Sequence, residues 1–178
     1  MRKAGTYKLT YGIETATPRL QQMVKKNLDI NQLKETIRKT ARTGIIVGGY
    51  LMLGFPTETR EEMLRTIHFA VESDLDIAAF FKVTNYNDIV QFYQSRSDSS
   101  AAGQDIPGKF EDFSYYSQKR SLAEVPVDEL NSLLLKAQQR FYLNPRRIRR
   151  GFFKAPHKMV FLRNLINAIA LIVQAHLM

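Results

Sequence analysis

The chain has 178 residues, 44% hydrophobic and 24% charged, which suffices for one domain with a real core, or a domain with an appendage, and excludes disorder throughout. It contains no cysteine, so neither a disulfide framework nor a thiolate-held zinc or iron–sulfur site can be built from this chain alone. The net charge of +9 belongs to the C-terminal region. From Asn131 onward there is no acid but nine bases (Lys136, Arg140, Arg146, Arg147, Arg149, Arg150, Lys154, Lys158 and Arg163), while the other 17 bases balance 17 acids.

The polar opening from Met1 to Lys8 leads straight into a strand pattern, which sets the expectation of a cytoplasmic chain without a secretory signal. From Thr6 to Glu14, Tyr7, Leu9, Tyr11 and Ile13 alternate with Lys8, Thr10 and Gly12, a period-two strand ending on a carboxylate. Thr17-Pro18 then reads as an N-cap with proline at the first helical position, and Leu20, Met23 and Val24 form an apolar stripe closed by Lys25-Lys26-Asn27. A second helix is capped by Asn31, lined by Leu33, Ile37 and Ala41, and stopped at Gly44.

Ile45 to Leu53 is a second, more apolar strand, and it breaks at Gly54-Phe55-Pro56. Thr57 or Thr59 caps the next helix, with Glu61 or Glu62 reaching back; that helix runs from about Arg60 to Ser73 and buries Met63, Leu64, Ile67, Phe69, Ala70 and Val71. His68 on this helix reads as an ordinary surface or core residue. Asp76 to Thr84 is a third strand, and Asn87 to Gln94 a short helical piece. Strand–helix repetition of this kind predicts a parallel α/β sheet with right-handed crossovers, whose ligands bind at the C-terminal strand ends.

Residues 96–125 are small, polar and aromatic without periodicity, and read as a loop or linker. A helix carrying Leu130, Leu133, Leu134, Ala137 and Phe141 comes next, then a basic helix from Pro145 to Lys154, then an apolar segment to Met178. The 15 uncharged residues from Asn164 to Met178 reach about 22 Å as a helix, short of a hydrocarbon core of roughly 30 Å. They do not predict a span. A basic segment with Phe152, Phe153 and Phe161 suits either the surface of an anionic membrane or packing on the domain with solvated arginines. Nucleic-acid binding is not expected, because the arginines belong to no recognised module.

Three stretches carry a resemblance to a known family: Gly12-Ile13-Glu14-Thr15, Leu53-Gly54-Phe55-Pro56-Thr57-Glu58-Thr59 and Phe81-Lys82-Val83-Thr84. In their order and spacing they resemble the second half of the barrel of radical S-adenosylmethionine enzymes, in the branch with a cobalamin-binding domain, and Phe141 to Arg150 is similar to the segment after that barrel. The resemblance implies half of a TIM-like β/α barrel over residues 1–95, with residues 126–178 as a helical tail. It implies S-adenosylmethionine as cofactor, bound by Gly12, Glu14, Thr15, Leu53, Gly54, Phe55, Pro56 and Thr84. No catalytic or metal-ligating residue is assigned. The cluster motif Cys-x3-Cys-x2-Cys is absent, so an iron–sulfur cluster enters only with an N-terminal half supplied from elsewhere. The expected partner is that half or a second copy of the chain. The functional expectation is the C-terminal portion of such an enzyme, inactive alone; the alternative is a non-enzymatic module that binds a partner or a membrane surface through its basic tail, peripheral to the membrane.

Overall fold

A computed structural model of the chain describes residues 1–83, 121–155, 157–163 and 165–167. Three strands, β1 (Lys8–Glu14), β2 (Ile46–Leu53) and β3 (Ile77–Lys82), form one parallel sheet in the order β1-β2-β3. The helices are α1 (Pro18–Met23), α2 (Ile30–Arg42), α3 (Arg60–Glu72), α4 (Val127–Tyr142) and α5 (Pro145–Lys154). The α/β class and the parallel pairing thus agree with the strand–helix reading. The expected helical piece from Asn87 to Gln94 and most of the loop before Pro126 lie outside the described residues.

Strand alternation divides the sheet into two unequal faces. Tyr11 and Ile13 of β1, Val47, Leu51 and Leu53 of β2, and Ala78 and Phe80 of β3 point into one core. The same core takes Leu33 and Ile37 from α2, Met63, Ile67 and Ala70 from α3, and Leu130, Leu133, Ala137 and Phe141 from α4. All three long helices therefore lie on one side. Right-handed crossovers between strands in sequential order give this result, because each return passes over the same face.

The opposite face carries Thr10, Gly12, Ile46, Gly48, Tyr50, Met52, Ile77, Ala79 and Phe81. Tyr50 is 48% exposed and Ile77 38% exposed. Among the described residues none of the three long helices packs on this face, while Met52 at its end meets the small cluster of Leu20, Phe55 and Val83.

Local chemistry explains the helix ends, with two corrections. Thr59 and Glu62 form a reciprocal capping box at the start of α3, one of the expected pairings. The cap of α2 is Asp29, whose carboxylate accepts from the amides of Asn31 and Gln32; the expected cap, Asn31, is inside the helix. Thr17 precedes α1 with Pro18 in the first turn, but its side chain makes no capping bond within that helix. It faces α3 instead, 3.5 Å from the Glu62 carbonyl.

The basic helix α5 docks beneath the N-terminal end of the sheet. Arg150 donates to Asp74 Oδ1 at 2.6 Å and Asp76 Oδ1 at 2.9 Å, Lys154 donates to Asp76 Oδ2 at 2.9 Å, and that oxygen also accepts the Val47 amide at 2.9 Å. Arg147 lies over the Phe141 ring at 3.6 Å and donates to the carbonyls of Ala70, Val71 and Ser73 at the C-terminal end of α3. A cation there complements the negative end of the helix dipole. Three of the nine tail bases are thus held inside the fold. Among the described residues no helix is long and apolar enough to cross a membrane.

Candidate functional site

The C-terminal end of β1 is where the backbone departs from regular geometry. The β1–β2 register shifts between Gly12 and Glu14, so Ile13 stays in the core while Glu14 is re-aimed. Glu14 has φ 64, and the Thr15 amide closes a three-residue turn onto the Ile13 carbonyl at 2.9 Å. A γ-turn with positive φ at a residue other than glycine is strained by about 1–3 kcal/mol and persists only where its surroundings hold it.

Gln21 of α1 does the holding. Its side-chain amide is buried and donates to the carbonyls of both Ile13 and Thr15, bracketing the turn. Thr15 and Thr66 close it from the α3 side: their hydroxyls are 3.2 Å apart, and the Ala16 amide donates to Thr66 at 3.1 Å.

The Glu14 carboxylate lies over the open face of the sheet. A Cβ on Gly12 would sit 2.8 Å from Lys26 Nζ and 3.2 Å from Glu14 Oε1, and Gly12 alternates with the core residues Tyr11 and Ile13. Lys26 donates to Glu14 Oε1 and to the Gly12 carbonyl, each at 2.9 Å. Both groups are partly exposed. The register partner of Gly12 is Tyr50, whose ring is 5.7 Å from that of Phe81. A carboxylate and an ammonium are thus gathered at the C-terminal end of β1, the end at which parallel α/β sheets bind ligands, with Tyr50 on the register partner of Gly12.

The loop after β2 is built differently from the sequence expectation. Gly54 has φ 95, and its backbone approaches Leu130 so closely that a Cβ would meet Leu130 Cδ2 at 2.9 Å. The amides of Gly54 and Phe55, expected to face a ligand, instead donate to Glu58 Oε2 at 2.6 and 3.0 Å. Glu58 is fully buried, and its Oε1 makes no hydrogen bond. Burial pushes its carboxyl up to about 7, against the lowering effect of the two amides. This loop carries its own anion.

The other sequence-derived residues divide accordingly. Thr15 is fully buried and its hydroxyl also receives the Thr17 amide, which makes it a support for the Glu14 turn. Leu53 is core on the helix side, and Phe55 packs with Leu20 and Val83 in a small cluster beside α1. Pro56 is half-buried in the turn. Thr84 lies outside the described residues. The structure therefore brings Gly12 and Glu14 together with Lys26, which the sequence placed only at a helix end, and adds Tyr50 on the same face and the buried Gln21 as members that the sequence did not single out. Gln21 was hidden because nothing in the adjacent pair Gln21-Gln22 tells the buried glutamine from its neighbour. Tyr50 was legible as a strand residue, but its face depends on register.

Arg19 ties the two loops at this end. It donates to both carboxylate oxygens of Glu62 and to the side chain and carbonyl of Thr57. That guanidinium holds the Glu62 carboxyl below the usual range. Thr57 has φ 60, so the bridge also pins a second unfavourable backbone conformation.

Site and fold define a parallel α/β unit with a polar cluster at its strand ends. No family model matches the chain. It is similar to an uncharacterized methyltransferase of Pyrococcus horikoshii, 26% identical over 154 residues that cover 86% of this chain and 33% of that protein. It is also similar to the cytidylyl-2-hydroxyethylphosphonate methyltransferase of Streptomyces wedmorensis, 30% identical over 88 residues, 46% of this chain and 16% of that protein. The chain spans a third or less of the length of these relatives.

These findings correct the assignment to the radical S-adenosylmethionine enzymes. With no family model matched and both relatives named as methyltransferases, likeness to methyltransferases stands in its place. The Leu-Gly-Phe-Pro-x-Glu segment is a turn closed by its own glutamate, and such local geometry does not by itself specify a reaction.

Proposed function

We propose that this chain forms part of a methyltransferase and that Glu14 and Lys26 bind the methyl donor, S-adenosylmethionine, at the C-terminal end of the sheet. The observation that carries the reading is the strained turn at Glu14, held by a buried glutamine so that its carboxylate lies over the open face beside an ammonium. Strain maintained at the ligand-binding end of a parallel sheet points to a functional residue. The names of the two relatives supply the reaction class.

The residues present fit this donor. Its amino-acid end is a zwitterion, and the Glu14–Lys26 pair offers a carboxylate for the ammonium and an ammonium for the carboxylate. Alternatively Glu14 accepts from the ribose hydroxyls, for which a partly exposed carboxylate is equally suited. Tyr50 presents a ring beside Gly12 on which a base can stack. The bound donor supplies an electrophilic methyl group on a sulfonium. This chain's own part is to bind and orient it: Glu14 fixes one end, Gly12 leaves room for the approach, and the apolar face excludes water on one side.

The proposal includes the architecture. Three sequential strands with every long helix on one face are the winding of a β/α barrel, and the exposed face corresponds to a barrel interior lacking its opposite wall. A further β/α wall completes the enclosure.

Equilibrium dialysis of S-adenosylmethionine against the full chain tests the reading. Glu14→Gln is expected to weaken binding by about tenfold or more, since a charge-assisted hydrogen bond contributes about 1.5–3 kcal/mol. Lys26→Met is expected to do the same. Unchanged affinity in both variants would remove the assignment.

A further inference from the structure

A second charged site lies at the other end of the molecule, remote from Glu14. The end of α3, the α4–α5 turn and Lys34 of α2 enclose a groove of about 770 Å³, lined among others by Arg140, Arg146, Arg147 and Arg150. Five cationic side chains reach it against two carboxylates, Glu72 and Asp74. Both acids already have partners: Lys34 lies 3.7 Å from Glu72, which His68 also approaches at 3.1 Å, and Arg150 lies 2.6 Å from Asp74. Arg140 and Arg146 are exposed and have no carboxylate partner among the described residues. Arg147 is 7% exposed, and its Nη1 makes no hydrogen bond.

An arginine this buried is ordinarily paired with an anion, because desolvating a guanidinium without one is costly. Here its Nε and Nη2 reach only neutral backbone carbonyls. Burial accordingly lowers its pKa to about 10, with Arg150 adding repulsion. The groove also borders the start of α5, where the positive end of the helix dipole adds to the field. The backbone amides there are not the donors, since Asn144 takes those of Arg146, Arg147 and Ile148 through its side chain or carbonyl.

We propose that this groove binds a phosphate-type dianion, held by Arg140 and Arg146, with the buried charge of Arg147 behind them. Planar guanidinium forks match phosphate oxygens in pairs, and three arginines without a carboxylate leave the groove short of negative charge. The volume admits either inorganic phosphate or the phosphate of a larger ester. The site is separate from the donor site and does not depend on it.

Isothermal titration of the full chain with inorganic phosphate, and in parallel with a nucleoside monophosphate, tests this at constant ionic strength. Saturable binding is expected. Arg140→Gln and Arg146→Gln should each weaken it by about tenfold, and Arg149→Gln, on an exposed position of the same helix outside the groove lining, by less than about twofold. Circular dichroism verifies that each variant keeps its helices. Equal affinity for the two probes assigns the site to the free anion, and tighter binding of the monophosphate assigns it to a phosphorylated ligand. Failure to saturate by about 10 mM of either probe, or equal weakening by Arg149→Gln, overturns the proposal, because diffuse surface charge would then account for any attraction.

Discussion

Glu58 shows how one side chain settles the conformation of a loop. Its carboxyl group takes the two amides that come after β2, so the turn closes on an internal acceptor. The pH consequence comes from linkage. The group has an ordinary value of 4.5 and rises to about 7 in the fold. Between those values the folded chain keeps a proton that the unfolded chain has lost, so stability falls as pH rises across the window and levels off above it. The span corresponds to about 3 kcal/mol. Urea unfolding from pH 4.5 to 8 should show this decline in the native protein, and Glu58→Gln should flatten that part of the profile. A profile unchanged by the substitution would mean that Glu58 does not titrate in this range.

Glu14 was legible in the sequence because it closes a clear alternating strand, and Gly54 because a glycine before Phe-Pro marks a turn. The positive φ of Glu14 and its clamp by Gln21 were not legible, since both depend on a register shift against β2 and on where α1 returns.

At the scale of elements, the docking of α5 rests on Asp76. One carboxylate joins the α3–β3 connection to Arg150 and Lys154 and caps the Val47 amide. Asp76→Ala is expected to cost about 3 kcal/mol, because it strands a buried amide and removes the shared partner of two half-buried cations. Chemical denaturation measures the loss, and a change under about 1 kcal/mol would mean that α5 docks by its apolar contacts instead. The helix itself was readable from Pro145 and its basic composition. Their use inside the fold was not, because the acids they meet lie some 70 residues earlier in the chain.

For the sheet as a whole, α2, α3 and α4 cover one face among the described residues, and Tyr50 and Ile77 on the other face are exposed. Parallel order and the number of strands could be read from three strand–helix repeats. The covering of β3 by α4 could not, because a long intervening segment separates them in sequence. The open face predicts association. Light scattering of the isolated chain should give twice the chain mass if a second copy packs on this face, and Tyr50→Asp should return it to the monomer with a stability change within about 1 kcal/mol. A monomeric native chain would contradict self-association.

The location of the proposed donor site at the strand ends is open to direct observation. Backbone amide shifts of the isotopically labelled chain, recorded as S-adenosylmethionine is added, should move first at Gly12, Glu14, Thr15 and Lys26, leave the Arg147 end unchanged, and fail to move in Glu14→Gln. Shifts centred elsewhere, or the same shifts in the variant, would contradict it.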